Sequence, residues 1–434
     1  MEKLSRKNQL IIGLTLFSMF FGAGNLIFPP TLGAQAGTAA LWAFLGFAVS
    51  AIGLPVLGVA AVARTGGLPV LAGRAGKAFS AVFVMLIYLS IGPCLAIPRT
   101  ASTSFEMAVT PFVGASPLLW LMRTGYSVVF FGAALAMALH PTRLRDWLGK
   151  RLSPILLVLI AVLFFGCVFS GLSGSVAPQA AYRSMPAVRG FVDGYQTMDA
   201  MAALIFGIVL AMNIRSLGLT DTGAVVRSTI KAGWLAGGLF ALVYGALSYI
   251  GVLTAANADV PADANGAALL TAIASLLFGR TGQAILAAIF VIACLNTCTG
   301  LICCCAEYFA GLFPRFSYTV WAWAFAVVSG IIANAGLDVI LKFSVPVLSC
   351  LYPIAIVLIF FAFLPARLAE QTHLYPCCVG FTAAASLLYQ FGAALPGVSA
   401  FFGYLPLAAQ GLSWVSFAVL GAAVGLVWRR RASV

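Results

Sequence analysis

The stretch S-M-F-F-G-A-G-N-L-I-F-P-P, from Ser18 to Pro30, interrupts an apolar helical pattern near the start of the chain. Glycine costs about 1 kcal/mol relative to alanine inside a helix, and the two prolines have no amide proton to donate. In lipid, such a break is tolerated only where it is buried in protein or lines a wet cavity. The stretch therefore predicts either a ligand-binding break in a membrane helix or a kinked, closely packed helix without a ligand.

The sequence on both sides of this stretch indicates an all-α integral membrane protein. Of the 434 residues, 62% are hydrophobic and 8% are charged, whereas soluble domains have about 25% charged residues. No Asp, Glu, Lys or Arg occurs between Asn8 and Ala63 or between Leu374 and Trp428, and each run is long enough for two spans of roughly 20 residues. Eight further sparsely charged runs lie between them, so we predict about twelve transmembrane helices.

The net charge of +13 follows membrane topology and does not indicate nucleic-acid binding. If the amino terminus lies in the cytoplasm, the predicted cytoplasmic segments contain eighteen of the 24 Lys and Arg residues, and the outer segments contain six. This positive-inside bias predicts that both termini are cytoplasmic, which requires an even number of spans. The first span has no plausible cleavage site, so we expect an uncleaved helix.

Grouping the spans by five indicates an internal duplication. Spans 1 to 5 cover about residues 8–172, spans 6 to 10 cover about residues 188–364, and spans 11 and 12, within residues 374–428, follow as an appendage. Because five is odd, the second block enters the membrane from the opposite side, as in the inverted repeats of many secondary transporters. In such repeats the first span of each block is broken near the membrane midplane.

Span 6 contains the second candidate break, in the stretch G-Y-Q-T-M-D-A-M-A-A-L-I-F-G from Gly194 to Gly207. Thr197 and Asp199 directly precede an apolar run, which is typical of a helix N-cap, and a half-helix starting there would present a positive dipole end. A carboxylate inside the bilayer is also a functional candidate by default. A capping role and a role in a binding site therefore both remain open for Asp199.

Several motifs follow one another along essentially the whole chain. They are G-A-G-N-L-I-F-P-P with Q-A-G at 35–37, I-G-P-C-L-A-I-P-R-T-A at 91–101, Y-Q-T-M-D-A-M-A-A at 195–203, and S-V-P-V-L at 344–348 with Tyr352-Pro353. Together they resemble the bacterial branched-chain amino acid:cation symporters of the amino acid–polyamine–cation superfamily. The resemblance implies a LeuT-like five-plus-five inverted repeat and uptake of Leu, Ile and Val driven by a sodium or proton gradient. It also implies a multi-pass protein of the bacterial inner membrane, without a cofactor or an obligatory protein partner.

The resemblance further implies a substrate site at the two breaks. The backbone of span 1 would bind the substrate's carboxylate and amine at Phe21, Gly22, Ala23, Gly24 and Asn25. From span 6, the substrate would be faced by Tyr195, Thr197, Met198 and Asp199. An apolar pocket for the aliphatic side chain can come from Ile91, Pro93, Phe206 and Ile302, although each of these is also a candidate for plain packing. Such a pocket separates Leu, Ile and Val poorly, because one methylene is worth only about 1–3 kcal/mol.

By similarity to the wider superfamily, a sodium ion is expected between spans 1 and 8. Its ligands would be the carbonyls of Ser18, Phe21 and Ala293 and the side chains of Asn296 and Thr297. The family usually has two hydroxyl residues at the last two positions, so Asn296 leaves sodium and proton coupling both open, although an amide oxygen can bind a hard cation. Arg99, late in span 3, is expected near the outer mouth. It would either close an outer gate or extend to the membrane interface.

Other classes of function fit the sequence less well. An intramembrane enzyme would need a nucleophile with a base, or metal ligands, inside the bilayer, but both His140 and His373 fall in predicted loops. We therefore predict no enzymatic activity. A channel would need a continuous polar pore or rings of charge, whereas this sequence offers isolated polar breaks. A cation-coupled carrier of another small neutral solute on the same fold remains the alternative.

Overall fold

The computed structural model describes residues 4–114, 117–140, 145–261, 264–365, 368, 373–392 and 397–428. The secondary structure in these ranges is helical, and they contain no strand. Eight helical stretches are long and apolar enough to cross a membrane by length and composition. One of these stretches joins the second half of span 1 to span 2, and three further spans are short or broken helices. Twelve spans can thus be followed in the described ranges.

The first five spans contain several interruptions of regular α-helix. Span 1 consists of Arg6–Phe20 and Ala23–Ala36, and span 2 of Ala40–Ala48 and Leu54–Thr65 around a π-helical turn at Val49–Gly53. Span 3 consists of Lys77–Leu89 and Ala96–Ala108 around a second π-helical turn at Ser90–Cys94. Spans 4 and 5 are Leu119–Ala138 and Ser153–Phe169.

The remaining spans include one further broken helix. Span 6 consists of Pro186–Asp193, a 3₁₀ turn at Gly194–Thr197, and Asp199–Arg215. Span 7 is Thr222–Asn257, and span 8 is the part of Gly266–Leu312 that follows Gly279. Gly279 has a positive φ of 56°, a conformation that favours glycine, and it bends the helix before span 8. Spans 9 to 12 are Tyr318–Ala333, Leu337–Phe361, Leu374–Phe391 and Trp414–Val427.

The break in span 1 is confined to Phe21 and Gly22. The Gly22 amide donates a hydrogen bond to Asn25 Oδ1 at 3.0 Å, and in an uninterrupted helix it would donate to the Ser18 carbonyl. The break is shorter than the sequence suggests, because residues 23–25 already form the first turn of the second half-helix. The two prolines at 29 and 30 lie inside that half-helix and not at the break.

The break in span 6 depends on an unusual backbone conformation. Met198 is left-handed, with φ 67° and ψ 4°, and its amide donates to the Tyr195 carbonyl at 3.1 Å. Positive φ is uncommon for a residue other than glycine. The chain therefore changes direction between the 3₁₀ turn and the helix that begins at Asp199.

Close backbone packing holds the second half of span 1 against its neighbours. A Cβ atom added to Gly33 would collide with the Ser248 carbonyl of span 7, and one added to Gly251 of span 7 would collide with the Pro30 carbonyl. Small residues at such contacts let membrane helices approach closely. Close packing matters here because the hydrophobic effect does not drive helices together in lipid. The glycines thus fix the position of span 1 along span 7.

Spans 11 and 12 pack mainly on each other. Gly421 and Gly425 of span 12 lie against the backbone of Cys378 and Leu374 of span 11, where a Cβ atom would come within 2.8 Å and 2.7 Å of their Cα atoms. Span 11 also contacts span 10. The predicted block boundaries, residues 8–172, 188–364 and 374–428, stay a prediction.

Replacing Gly251 by alanine should destabilise the protein, because the added methyl group forces the backbones of spans 1 and 7 apart at a cost of about 1–3 kcal/mol. The measurement is the melting temperature of the purified protein in detergent. Gly238→Ala on the same span is the matched control, because no atom lies within 4 Å of its added Cβ. A Gly251→Ala protein that melts with the control would contradict the close contact.

Candidate functional site

The breaks of spans 1 and 6 border a common cavity with a volume of about 30 Å³. This is about the volume of one water molecule, so the surrounding side chains close the cavity in this conformation, and a larger ligand requires them to move apart. Spans 1 and 6 line it with Met19, Phe20, Gly22, Ala23, Gly24, Asn25, Thr197, Met198, Asp199, Ala202 and Phe206. Spans 3 and 8 line it with Ile91, Ala96, Arg99, Thr100, Thr297 and Leu301.

A buried hydrogen-bond network joins the two breaks directly. Asn25 Nδ2 donates to Asp199 Oδ2 at 2.6 Å and also to the hydroxyl of Tyr244 in span 7. The Tyr244 hydroxyl donates to the same carboxylate oxygen at 3.0 Å. All three residues are at most 3% exposed, and a buried carboxylate is costly unless hydrogen bonds compensate for its lost hydration. The network therefore stabilises Asp199 and fixes spans 1, 6 and 7 relative to one another.

The second half-helix of span 6 receives a capping bond from span 10. The Tyr352 hydroxyl accepts the Ala200 amide at 3.2 Å. The carboxylate of Asp199, the residue at which this half-helix begins, bonds to Asn25 and Tyr244 instead. Of the two interpretations of Asp199, this geometry favours a role at the cavity over a cap.

Arg99 enters the cavity from the kinked part of span 3. Its Nη1 atom donates to the Gln196 carbonyl of span 6 at 3.2 Å. A Cβ atom on Gly24 would lie 2.8 Å from Nη2 of Arg99, so a residue with a side chain at position 24 would displace the guanidinium. Arg99 is only 5% exposed, which does not fit a side chain extended to the membrane interface. A gating role for Arg99 stays a prediction.

Two of the predicted cation ligands, Asn296 and Thr297 of span 8, lie against span 1. Asn296 Nδ2 donates to Ser18 Oγ at 2.6 Å, and Thr297 Oγ1 lies 2.8 Å from where a Cβ on Gly22 would stand. Asn296 Oδ1 and Thr297 Oγ1 are shielded from solvent and form no hydrogen bond within the described ranges. The Ser18 carbonyl has lost its helical donor, because the Gly22 amide bonds to Asn25.

Buried oxygen atoms without donors are rare, since each costs about 1–3 kcal/mol. Oxygen atoms of carbonyl, amide and hydroxyl groups are also the ligands that hard cations prefer. The remaining predicted ligands, Phe21 and Ala293, are both fully buried at 0% exposure. Phe21 is part of the span 1 break, and Ala293 lies about one helical turn before Asn296 and Thr297 on span 8.

Three predicted substrate residues lie beside the cavity and do not line it. The ring of Phe21 stacks on aromatic rings of span 7, and the ring of Tyr195 stacks on Tyr352 with 4.6 Å between centroids. The carbonyl of Pro93 accepts a hydrogen bond from span 9. The side chains of Phe21 and Tyr195 therefore pack the helices around the cavity, and a backbone contact of Phe21 with substrate stays a prediction.

The sequence gives no signal for Tyr244, and the pocket residue expected on span 8 is off by one position. Tyr244 is one of 12 tyrosines, and no motif or charge marks it, so only its contact with Asn25 and Asp199 reveals it. On span 8, Leu301 lines the cavity and the adjacent Ile302 does not. Successive helical residues point about 100° apart, so an error of one position moves a side chain out of the cavity.

The chain matches the family model described as branched-chain amino acid transport protein over residues 5–432. It belongs to this family. The branched-chain amino acid permease BraB of Bacillus subtilis is 39% identical over 431 residues, which cover 98% of this chain and 96% of that protein. The branched-chain amino acid permease BrnQ of Corynebacterium glutamicum is 40% identical over 434 residues, covering 99% and 97%. The family consists of transport proteins, which confirms the prediction that the chain is not an enzyme.

Two solved structures share the fold at 14% sequence identity. Mhp1, a nucleobase-cation-symport-1 family transporter in a closed conformation with bromovinylhydantoin bound, matches with a TM-score of 0.61 over 96% of this chain and 90% of its own. MhsT in complex with L-phenylalanine matches with a TM-score of 0.51 over 97% and 99%. The likeness confirms the predicted fold class, an all-helical membrane protein with the LeuT-like architecture.

Replacing Tyr244 by phenylalanine should lower the melting temperature of the family member described here. The change removes one donor to Asp199 and one acceptor for Asn25, and a buried polar group that loses a partner costs about 1–3 kcal/mol. Tyr249→Phe on the same span is the control, because Tyr249 is 44% exposed. Equal melting temperatures for the two variants would show that the network does not stabilise the junction of the breaks.

Proposed function

We propose that this protein imports leucine, isoleucine and valine by symport with a cation, sodium by preference, through alternating access. The observation that supports this most strongly is the cavity between the two helix breaks. It combines oppositely charged groups, Arg99 and Asp199, with an apolar wall that includes Phe206 and Leu301. A small zwitterion with an aliphatic side chain would contact both parts of this cavity once the surrounding side chains move apart.

The apolar wall explains a broad preference among branched aliphatic side chains. Phe20, Ile91, Phe206 and Leu301 present hydrocarbon to the cavity, and no hydrogen-bonding group distinguishes one methyl branch from another at these positions. One methylene is worth only about 1–3 kcal/mol in an apolar pocket. Leucine, isoleucine and valine are therefore expected to compete for one site, as the names of the permease relatives suggest.

Cation coupling is supported by the oxygen atoms between spans 1 and 8. Asn296 Oδ1 and Thr297 Oγ1 have no donor within the described residues, and Thr297 also lines the substrate cavity. A cation held there would lie next to the break that borders the substrate. Its binding would then favour the cavity conformation that accepts an amino acid, which is the energetic requirement for coupling.

The chain is proposed to lie in the bacterial cytoplasmic membrane with both termini on the cytoplasmic side. The support is the excess of Lys and Arg in the segments that this orientation places inside, together with the even number of spans. In this orientation the second half of span 1 points outward and the first half points inward. The substrate, the coupling ion and the lipid bilayer are the partners that this function requires.

Purified protein in liposomes should take up labelled leucine when a sodium gradient is imposed without a pH gradient. Excess valine or isoleucine should compete, whereas lysine and glutamate should not, because a second charge has no partner in the apolar wall. Protein-free liposomes provide the background. Uptake driven only by a pH gradient would refute sodium as the coupling ion. Absence of leucine uptake with either gradient would refute the substrate assignment and favour a carrier of another neutral solute.

Thr297→Ala should weaken the sodium dependence of leucine uptake. Removal of one oxygen ligand is expected to raise the sodium concentration for half-maximal uptake by roughly tenfold. The matched control is Thr299→Ala on the same helix, because the Thr299 hydroxyl donates to the Leu295 carbonyl at 2.8 Å and faces span 4. An unchanged sodium response in Thr297→Ala would remove this residue from the ion site.

A further inference from the structure

Arg99 is a buried cation that has no carboxylate partner among the described residues. It is 5% exposed, and no described Asp or Glu oxygen lies within the 4.0 Å ion-pair distance of its guanidinium. Some other arginines of the described residues do form ion pairs, such as Arg123 with Glu106 at 3.2 Å and Arg189 with Asp193 at 2.9 Å. Buried charges are normally paired or bind a ligand. The guanidinium can therefore pair with an anion that is not part of the protein.

The guanidinium lies at the beginning of the second half-helix of span 1. This helix runs from Ala23 to Ala36, so the amides of its first turn have no intrahelical acceptor and mark the positive end of its dipole. The Nη2 atom of Arg99 approaches Gly24 in that turn, at 2.8 Å from where its Cβ would stand. A guanidinium next to the first-turn amides of a helix favours binding of a carboxylate or another small anion.

A hydrogen bond to span 6 holds Arg99 in position and leaves most of its N–H donors available. Nη1 donates to the Gln196 carbonyl in the last turn before the span 6 break. A guanidinium has five N–H donors in a planar fork, so further donors remain for a ligand. The opposite charge, Asp199, lines the same cavity and is fixed by Asn25 and Tyr244. The cavity thus presents one positive and one negative pole.

We propose that Arg99 binds the α-carboxylate of the amino acid substrate together with the first-turn amides of span 1. Arg99 is then the residue that selects substrates with a free carboxylate, and Asp199 lies on the ammonium side. This inference rests on the proposed function and adds to it a specificity-determining residue. It goes beyond a gate, because a gate requires no contact between Arg99 and the substrate.

The test compares leucine with leucinamide, which retains the ammonium group and the side chain but has a neutral amide in place of the carboxylate. Affinities are measured by ligand-dependent thermal stabilisation of the purified protein, which does not require transport. The wild-type protein should bind leucine at least about 100-fold more tightly than leucinamide. Arg99→Gln should weaken leucine binding roughly 10- to 100-fold. Leucinamide binding should stay equal or become tighter, since the buried positive charge no longer repels it.

Arg99→Lys retains the charge without the planar fork, so its preference for leucine should lie between those of the wild type and Arg99→Gln. Arg123→Gln is the control for loss of an arginine, because Arg123 pairs with Glu106 and does not line the cavity. Its preference for leucine should equal that of the wild type.

Two results would overturn the proposal. One is a wild-type protein that binds leucine and leucinamide with equal affinity. The other is an Arg99→Gln protein in which the affinities for leucine and for leucinamide fall by the same factor. If Arg99→Gln does not fold, an Arg99→Lys protein with the full wild-type preference would overturn it. Failure of the proposed function looks different, because the wild-type protein would then bind none of leucine, isoleucine and valine.

Discussion

Asn25 and Asp199 meet in a hydrogen bond that joins the break of span 1 to the break of span 6, and Tyr244 of span 7 completes the contact. The same Asn25 side chain accepts the Gly22 amide through its oxygen atom. One amide group therefore shapes the break in span 1 and also fixes its position relative to span 6. The cavity and the candidate ion site both depend on this arrangement.

The candidate substrate and ion sites are physically connected through the same break. Because Gly22 donates to Asn25, the Ser18 carbonyl is left without its helical donor, and the Ser18 hydroxyl accepts a hydrogen bond from Asn296 of span 8. Thr297 contributes to both regions, since it lines the cavity and lies among the candidate cation ligands. A change in the conformation of Gly22 would alter the two sites together. The proposed cation coupling would therefore not require a long-range pathway.

Broken helices are stable in a membrane only when other helices shield their free backbone groups. Here the glycines at positions 33 and 251 bring spans 1 and 7 into backbone contact, and the Tyr352 hydroxyl accepts an amide at the start of the second half of span 6. The kink in span 3 brings Arg99 to the same level as both breaks. The two breaks and the kink of span 3 thus lie next to one another and are surrounded by closely packed helices.

The sequence alone determined the membrane class, the all-helical fold, the two broken helices and the family. These features depend on local composition and on motifs: long runs without charge, Gly and Pro inside apolar segments, and the quoted family stretches around Gly22 and Asp199. Most of the predicted substrate residues also line the cavity. The repeat boundaries and the functions of individual site residues stay predictions.

Only the tertiary structure decided how the functional groups meet. It brings Tyr244 to Asp199, turns Leu301 and not Ile302 toward the cavity, and buries Arg99 beside Gly24. A lone tyrosine in an apolar span has no sequence signal, and the rotation of a kinked helix depends on its packing against neighbours. Contacts between residues far apart in the chain arise from the packing of whole helices, and local sequence patterns do not specify that packing.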